Sequence, residues 1–339
     1  MQLIEFTDKG LYVPQAKLYI DPWKPVDKAF ITHGHADHAR YGSKEYVCTV
    51  SAMPVIKYRL GSHINIRGLE YGEELMVNGV KFSFHPAGHI IGSAQIRVEY
   101  KGEIWVASGD YKVENDGTSE AFETVRCHTF ITESTFGLPV FKWKKQDEII
   151  DGINEWWKKN QEEDKVSVIG AYSLGKAQRI IQNVDHSLGK VFTHGAVENI
   201  NEVLRNQGHK ILDTTRVVQG QKRSLYKGAL VIAPPSAVDS SWIKKFGPVS
   251  KGIASGWMAM RGTRRRRSAD RGFELSDHAD WDGLLSAIMD SGAERVFVTH
   301  GYTDIFSQYL GSIGYESGVV ETEYTGDEGN AQNEEEVAA

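Results

Sequence analysis

The segment that best indicates the fold of this chain is Ile31-Thr32-His33-Gly34-His35-Ala36-Asp37-His38. It follows the apolar residues Ala29 and Phe30. Two imidazoles two residues apart can converge on one metal ion, and a carboxylate with a third imidazole one loop turn later can face a second ion. The plain alternative is three unrelated surface histidines in a polar turn. We therefore expect a two-metal centre at the end of a strand.

Two candidate ligands follow downstream, each just past the end of a predicted strand. His89 follows the predicted strand Val80–His85, and Asp110 follows the predicted strand Glu103–Ser108. Taken alone, either would more often be an ordinary turn residue. A carboxylate has two oxygens and can bridge two ions, which is the natural role for Asp110.

A wider set of motifs carries a family resemblance. In their order along the chain, the loop His33–His38, then His89, then Ser108-Gly109-Asp110 resemble the metal motifs of the metallo-β-lactamase superfamily. Motifs A, B and C of the β-CASP nucleases, which process nucleic acids, are similar to Thr132-Glu133-Ser134-Thr135, Leu275-Ser276-Asp277-His278-Ala279-Asp280 and Val296-Phe297-Val298-Thr299-His300-Gly301.

Within that group, the chain is most similar to the bacterial ligase-associated DNA exonucleases. This finer resemblance depends on the compact length, on Glu133 in motif A and on Ser-Gly-Trp-Met at 255–258. His300 in motif C instead matches the RNA-cleaving branch. The choice between DNA and RNA therefore stays open.

The resemblance implies an α/β fold, a metallo-β-lactamase αββα sandwich with an inserted parallel α/β β-CASP domain. The expected ranges are 1–140 for the first part of the sandwich, 141–265 for the insert, 266–326 for the closing part and 327–339 for a disordered acidic tail. Sequence patterns agree, because short alternating strands fill the first third and strands alternate with helices after Leu138. Later elements are predicted as a helix over Ala237–Phe246 with Ser236 as its N-cap, a helix over Trp281–Asp290 and a last strand over Arg295–Thr299.

Carried over residue by residue, the resemblance implies a ligand set for two divalent ions. One ion would be held by His33, His35 and His89, the other by Asp37, His38 and His300, with Asp110 bridging. Ligation by nitrogen and oxygen fits Zn²⁺ or Mn²⁺ and disfavours Mg²⁺, which prefers oxygens and waters.

The resemblance also implies three catalytic roles. Asp37 would hold and orient the attacking water. His278 would protonate the departing alkoxide, and Glu133 would orient His278 and raise its pKa. The plain alternatives are a strand-end salt bridge for Glu133 and a position beside a helix N-cap for His278.

Substrate contacts are predicted in the insert. Ser173 and Lys176 lie in the segment Tyr172–Gln178, where backbone N–H groups at a helix start and an ammonium could meet a phosphate. The segment lacks the full pattern of a nucleotide P-loop, and its glycine could simply turn the chain. Arg261, Arg264 and Arg265 belong to an arginine-rich run suited to a phosphate backbone, unless the run is only a solvated loop.

Composition adds few constraints on function. The chain has 339 residues, 40% of them apolar, and a net charge of −6, which by itself argues against nucleic acid. Seven acidic residues and no Lys or Arg fall within 321–339, so the remainder is nearly neutral and nucleic acid stays possible. Cys48 and Cys127 are too far apart in sequence to indicate a thiolate zinc site or a disulfide framework.

We predict sequence-independent cleavage of single-stranded DNA or RNA, starting from an end, by a cytoplasmic enzyme. The first ten residues do not resemble a signal peptide, and no apolar stretch approaches the length of a membrane span. By family resemblance, a DNA ligase and a helicase are possible partners. The rivals are a thioesterase or lactonase of the same fold, which would lack the insert and motif B, and an idle nucleic-acid-binding subunit, which would have lost ligands.

Overall fold

The computed structural model describes residues 2–260 and 269–324. It divides into two compact units. The first comprises residues 2–142 with 278–324, and the second comprises residues 143–260 with 269–277. The chain returns from the second unit to the first after Asp277. Residues 269–277, which lie in the range predicted to open the closing part of the sandwich, therefore belong to the second unit. The predicted tail, 327–339, lies outside the described residues.

One sheet of the first unit has six strands, which are neighbours in chain order. They are β1 (Glu5–Thr7), β2 (Gly10–Val13), β3 (Leu18–Ile20), β4 (Lys28–Phe30), β5 (Glu45–Thr49) and β6 (Ile66–Leu69). Strands β1 to β3 pair antiparallel, and β3 to β6 pair parallel. Helix α1 (Met53–Leu60) connects β5 to β6. Its Ile56 packs against Tyr46 and Cys48 of β5, on one face of this sheet.

The other sheet of the first unit has seven strands, of which five follow one another and two come from the end of the chain. They are β7 (Leu75–Val77), β8 (Val80–Pro86), β9 (Ala94–Tyr100), β10 (Glu103–Ala107), β11 (Thr129–Ser134), β18 (Arg295–Gly301) and β19 (Glu316–Val319). Strands β10, β11, β18 and β19 are parallel neighbours in that order. Their carboxyl ends therefore lie along one edge of the sheet.

The two sheets share a core because their strands alternate in polarity. In β9, Ala94, Ile96 and Val98 are buried in the core that also contains Phe30 and Val47 of the first sheet. The opposite face of the seven-stranded sheet is covered by α6 (Trp281–Ser291) and α7 (Thr303–Ser312), whose apolar residues form a second core with those of β11 and β18. The first unit thus has its layers in the order helix, sheet, sheet, helices.

The second unit contains a parallel six-stranded sheet. In spatial order its strands are β14 (Thr215–Arg216), β13 (Val191–Thr193), β15 (Leu230–Ala233), β12 (Val166–Gly170), β16 (Val249–Ala254) and β17 (Arg271–Phe273). Its helices are α2 (Gln146–Glu162), α3 (Lys176–Asn183), α4 (Gly195–Asn206) and α5 (Pro235–Val238), with short 3₁₀ helices at His186–Leu188, Arg223–Tyr226, Ser241–Phe246 and Gly256–Ala259. Trp156 and Trp157 of α2 are buried, as their helical spacing with three isoleucines predicts.

The α/β class predicted from the sequence is confirmed, with two local corrections. The predicted helix over Ala237–Phe246 is wrong: α5 ends at Val238, and a separate 3₁₀ helix begins after Ser240, whose side chain accepts a hydrogen bond from Trp242 N. Pro235 starts α5 because proline suits a first helical turn, so Ser236 lies inside the helix and not at its cap. The folded part also continues past β18 into α7 and β19, beyond the last predicted strand.

Gly301 at the end of β18 is a position where an alanine should not fit. Its φ is +95°, and a Cβ atom there would lie 2.3 Å from the Ser134 carbonyl oxygen. We expect Gly301→Ala to lower the free energy of unfolding by at least about 1 kcal/mol, because both the left-handed backbone and the close main-chain neighbour resist a side chain. Urea denaturation followed by circular dichroism measures this loss.

The matched control is Gly311→Ala in α7, where an added Cβ meets no heavy atom within 4 Å. We expect that change to raise the free energy of unfolding by up to about 1 kcal/mol, since alanine has the better helix propensity. A Gly301→Ala variant as stable as the parent chain would contradict the steric explanation.

Candidate metal centre

The ends of the strands bring most of the predicted ligands together in the first unit. The loop His33–His38 follows β4, His89 follows β8, and Asp110 follows β10. Glu133 and His300 lie near the carboxyl ends of the parallel strands β11 and β18. All of these side chains are buried.

Asp110 lies at the middle of this cluster. Its Oδ1 is 2.9 Å from His300 Nε2. Its Oδ2 is 3.5 Å from His33 Nε2, 3.6 Å from His38 Nε2 and 3.8 Å from His89 Nε2. One carboxylate therefore faces four imidazoles, with its two oxygens directed to different members of the set.

Among the predicted metal ligands, the ligand atoms form two overlapping groups that share Asp110. One group is His33, His35, His89 and Asp110, the other is His38, His300 and Asp110, and within each the atoms lie within 4.8 Å of one another. His35 Nδ1 and His89 Nε2 are 3.1 Å apart. Two nitrogens bound to one tetrahedral zinc ion at ~2.0–2.1 Å would be separated by roughly 3.3 Å, so the spacing suits a shared ion. Asp37 belongs to neither group, but its Oδ2 is 3.9 Å from His38 Nε2.

Two nitrogens of the cluster are buried without a hydrogen-bond partner. They are the Nε2 atoms of His33 and His38, which make no hydrogen bond within the described ranges. An unsatisfied buried polar atom costs about 1–3 kcal/mol, whereas a metal ion satisfies such nitrogens directly. Imidazoles and a carboxylate form a donor set suited to Zn²⁺ or Mn²⁺, so the residues fit divalent cations.

The electrostatics agree with ligation. Burial, followed by the neighbouring His38, lowers the pKa of His33 well below its usual value. Burial would raise the pKa of Asp110, but the imidazoles of His38 and His300 hold it well below its usual range. A neutral imidazole and a charged carboxylate are the forms in which these side chains bind metal.

His38 shows how much negative charge converges here. Burial opposes its protonation, yet the carboxylates of Asp110, Asp37 and Asp21 outweigh burial and raise its pKa to about 10. The surrounding carboxylates therefore stabilise a positive charge at the position of His38. A divalent cation would be stabilised in the same way.

Asp21 supports the centre and was not among the predicted residues. It follows β3, is 1% exposed, and its Oδ2 lies 2.8 Å from His38 Nδ1 and accepts a hydrogen bond from Thr32 Oγ1 at 2.5 Å. Its Oδ1 accepts from Thr32 N at 2.8 Å. A carboxylate at Nδ1 fixes the tautomer that leaves Nε2 free to coordinate. The signal available in the sequence was a carboxylate at a strand end, the same signal that identified Asp110.

Glu133 and His278 form a buried pair beside the cluster. His278 Nδ1 is 2.9 Å from both Glu133 oxygens, and Glu133 Oε1 also accepts a hydrogen bond from Tyr111 N at 2.9 Å. Their ligand atoms and those of Asp110 lie within 4.8 Å of one another. The pair is thus held rigidly, with the imidazole oriented by the carboxylate.

The predicted substrate contacts in the second unit have a different setting from the one expected. Lys176 is fully buried, with Nζ 3.3 Å from Asp277 Oδ2 and 4.5 Å from the centre of the Tyr172 ring. Ser173 is also buried, and its carbonyl accepts a hydrogen bond from Gln178 Nε2.

The remaining predicted contacts, Arg261, Arg264 and Arg265, lie outside the described residues. In the ranges 2–260 and 269–324, no helix is both long and apolar enough to cross a membrane.

Comparisons with known proteins find relatives named as nucleases and one named as a DNA ligase. No family model matches it. It is 28% identical over 316 residues to a probable DNA ligase of Opitutus terrae, an alignment that covers 91% of this chain and 30% of that protein. It is 28% identical to an RNase J-like protein of Methanocaldococcus jannaschii, covering 47% of this chain and 43% of the relative. It is 30% identical to endoribonuclease YSH1 of Eremothecium gossypii, covering 35% of this chain and 16% of the relative.

The chain thus spans less than half the length of each of these relatives. A solved protein of unknown function from Enterococcus faecalis V583 has a similar fold, with a TM-score of 0.56 and 10% identity, over 80% of this chain and 74% of that one. In sequence, the chain is therefore similar to proteins named as an RNase J-like protein and an endoribonuclease, and to a protein named as a probable DNA ligase.

Proposed function

We propose that this chain is a metal-dependent nuclease that hydrolyses phosphodiester bonds of single-stranded nucleic acid, with DNA as its preferred substrate and an end as its starting point. The observation that carries the proposal is the carboxylate of Asp110 among four buried imidazoles, two of which have an Nε2 atom without a hydrogen bond. The similarity to proteins named as nucleases supports the same reaction class.

The proposed ligand set divides the cluster between two divalent ions, Zn²⁺ or Mn²⁺. His33, His35 and His89 would hold one ion, Asp37, His38 and His300 the other, and Asp110 would bridge them. Two such ions lower the pKa of water and neutralise charge on phosphate oxygens. In this proposal the layers of the first unit are a metallo-β-lactamase αββα sandwich, and the parallel sheet of the second unit is a β-CASP insertion.

The chain's own residues would do the remaining work. The Asp37 carboxylate would orient the attacking water. His278 would give a proton to the leaving alkoxide, while Glu133 holds the His278 Nδ1 atom and so aims the ring. Arg261, Arg264 and Arg265 would contact the phosphate backbone without reading bases. The burial of Ser173 and Lys176 favours a structural role for both.

DNA is favoured over RNA by one comparison. The alignment with the probable DNA ligase covers 91% of this chain, far more than the alignments with the relatives named as ribonucleases. A chain matching one part of a ligase-named protein also supports a DNA ligase as a partner in repair. The ribonuclease names and His300 support RNA as the second candidate substrate.

The test is incubation of the pure protein with end-labelled single-stranded DNA and RNA, in the presence of Mn²⁺, Zn²⁺ or EDTA. We expect metal-dependent cleavage, faster for DNA, that EDTA abolishes. Cleavage of RNA alone would support the second candidate. If neither polymer is cut in a metal-dependent way, the nuclease proposal fails.

A further inference from the structure

Tyr324 covers one side of the candidate centre, from a position near the end of the described chain. Its ring stacks on the His38 imidazole, with ring centres 4.4 Å apart and planes inclined by 13°. The same ring meets His300 edge to face, at 5.5 Å and 80°. Its hydroxyl donates a hydrogen bond to the Asp21 carbonyl at 3.1 Å. Tyr324 therefore touches two candidate ligands of the same ion.

The stack adds to the contacts that hold the His38 ring, which also lies 4.1 Å from the centre of the His33 ring at an inclination of 43°. The Asp21 carboxylate, 2.8 Å from His38 Nδ1, fixes the direction of that nitrogen within the ring plane. A hydrogen bond at one ring nitrogen still lets the imidazole ring rotate about the line of that bond. A flat aromatic surface parallel to the imidazole opposes that rotation, and stacked or edge-to-face rings attract each other. Together the two contacts define where Nε2 points.

The segment around Tyr324 is itself fastened to the loop that carries the ligands. Arg40 Nη2 donates a hydrogen bond to the Glu323 carbonyl at 2.8 Å, and Arg40 Nε donates to the Asp37 carbonyl at 3.2 Å. The Trp23 ring meets Tyr324 edge to face at 5.6 Å. The backbone of Tyr324 is thus tied to the same loop as the ring that it covers.

We propose that Tyr324 is a positioning residue for the ion held by His38 and His300, and that its flat ring sets the geometry of that ion alone. This inference rests on the two-ion site of the proposed function. Tyr324 bears no predicted chemistry of its own. It would act by holding the His38 and His300 rings in the orientation that coordinates.

The experiment compares metal affinities and uses no nucleic acid. Metal-free wild-type protein and its variants are titrated with Zn²⁺ against a competing chelator, which resolves the first and second equivalents. His300→Asn identifies the equivalent that belongs to the His38 and His300 ion. We expect Tyr324→Leu to weaken that equivalent about tenfold and to leave the other unchanged, since changes to groups supporting a ligand typically cost ~10–100-fold in affinity.

Two further variants separate the ring from the hydroxyl and from general damage. Tyr324→Phe keeps the stack and should retain the wild-type affinity. Tyr41→Leu replaces a tyrosine that is 63% exposed and should change neither equivalent. Tyr324→Ala provides a second ring-free variant. The thermal unfolding temperature of every variant is measured without metal, so that general damage to the fold can be recognised.

Three results would overturn the inference: unchanged affinities in both ring-free variants, equal weakening of both equivalents, or a loss in Tyr324→Phe as large as in Tyr324→Leu. A selective loss without any nuclease activity in the wild-type protein would support the role of Tyr324 and refute the proposed function. A wild-type chain that binds fewer than two ions would refute both.

Discussion

Replacing Asp110 with asparagine is expected to reduce metal-dependent cleavage at least about 10³-fold and to lower the bound metal below two equivalents. Asp110 is the residue common to both groups of candidate ligands, and its oxygens face four imidazoles at 2.9 to 3.8 Å. Asparagine keeps the shape of the side chain but removes the negative charge that, in the proposed site, would hold two cations close together. A loss of ~4 kcal/mol of transition-state stabilisation corresponds to the stated factor.

Metal content by mass spectrometry and turnover on labelled single-stranded DNA measure the two effects. Asp282→Asn is the matched control, because the Asp282 side chain is 62% exposed and pairs with Lys142 at the surface. It should leave both quantities at wild-type level. An Asp110→Asn protein with two tightly bound ions and normal turnover would refute the bridging role.

Replacing His278 with alanine is expected to lower turnover by ~10²–10⁴-fold while both ions stay bound. The reason is that His278 would supply the proton for the leaving alkoxide, and its ring is oriented by both oxygens of Glu133 at 2.9 Å. Neither member of the pair belongs to the proposed ligand set. The effect should therefore appear in the chemical step and not in metal content.

A substrate with a better leaving group tests the acid role directly. An activated nitrophenyl phosphodiester needs little protonation, so His278→Ala should slow its hydrolysis far less than it slows the cleavage of DNA. His63→Ala, at an exposed histidine, should change neither rate. If His278→Ala slowed both substrates equally, the residue would serve the architecture and not proton transfer.

The candidate ligands were open to prediction because each lies at the end of a strand and carries an informative residue type. His33, His35 and His38 share one loop, and Asp110 follows a strand whose apolar pattern is plain. Asp21 has the same position after β3, yet a single aspartate followed by proline carries no spacing to other ligands. Its role became visible only through its short contacts with His38 and Thr32.

Tyr324 and Lys176 show where local patterns do not reach. A tyrosine among acidic residues gives no sign that its ring stacks on an imidazole from the start of the chain. A lysine after glycine at a helix start suggests a phosphate contact, whereas in the structure Lys176 is buried and its Nζ lies near Asp277 and the Tyr172 ring. Burial depends on which elements pack nearby, and one segment does not contain that information.

The sequence by itself determined the α/β class, most strands and helices, and the residue types of a candidate two-metal centre. Alternation of polarity, helix spacing and ligand spacing are all local properties, so they can be recognised in one chain without its fold. Only the tertiary structure decided which distant residues meet. Three contacts depend on residues 278–324, which complete the first unit after the second unit ends. They are the approach of His300 to Asp110, the pairing of His278 with Glu133 and the stacking of Tyr324 on His38. Such contacts join segments far apart in sequence, and they form because whole sheets and helices bury their apolar faces together.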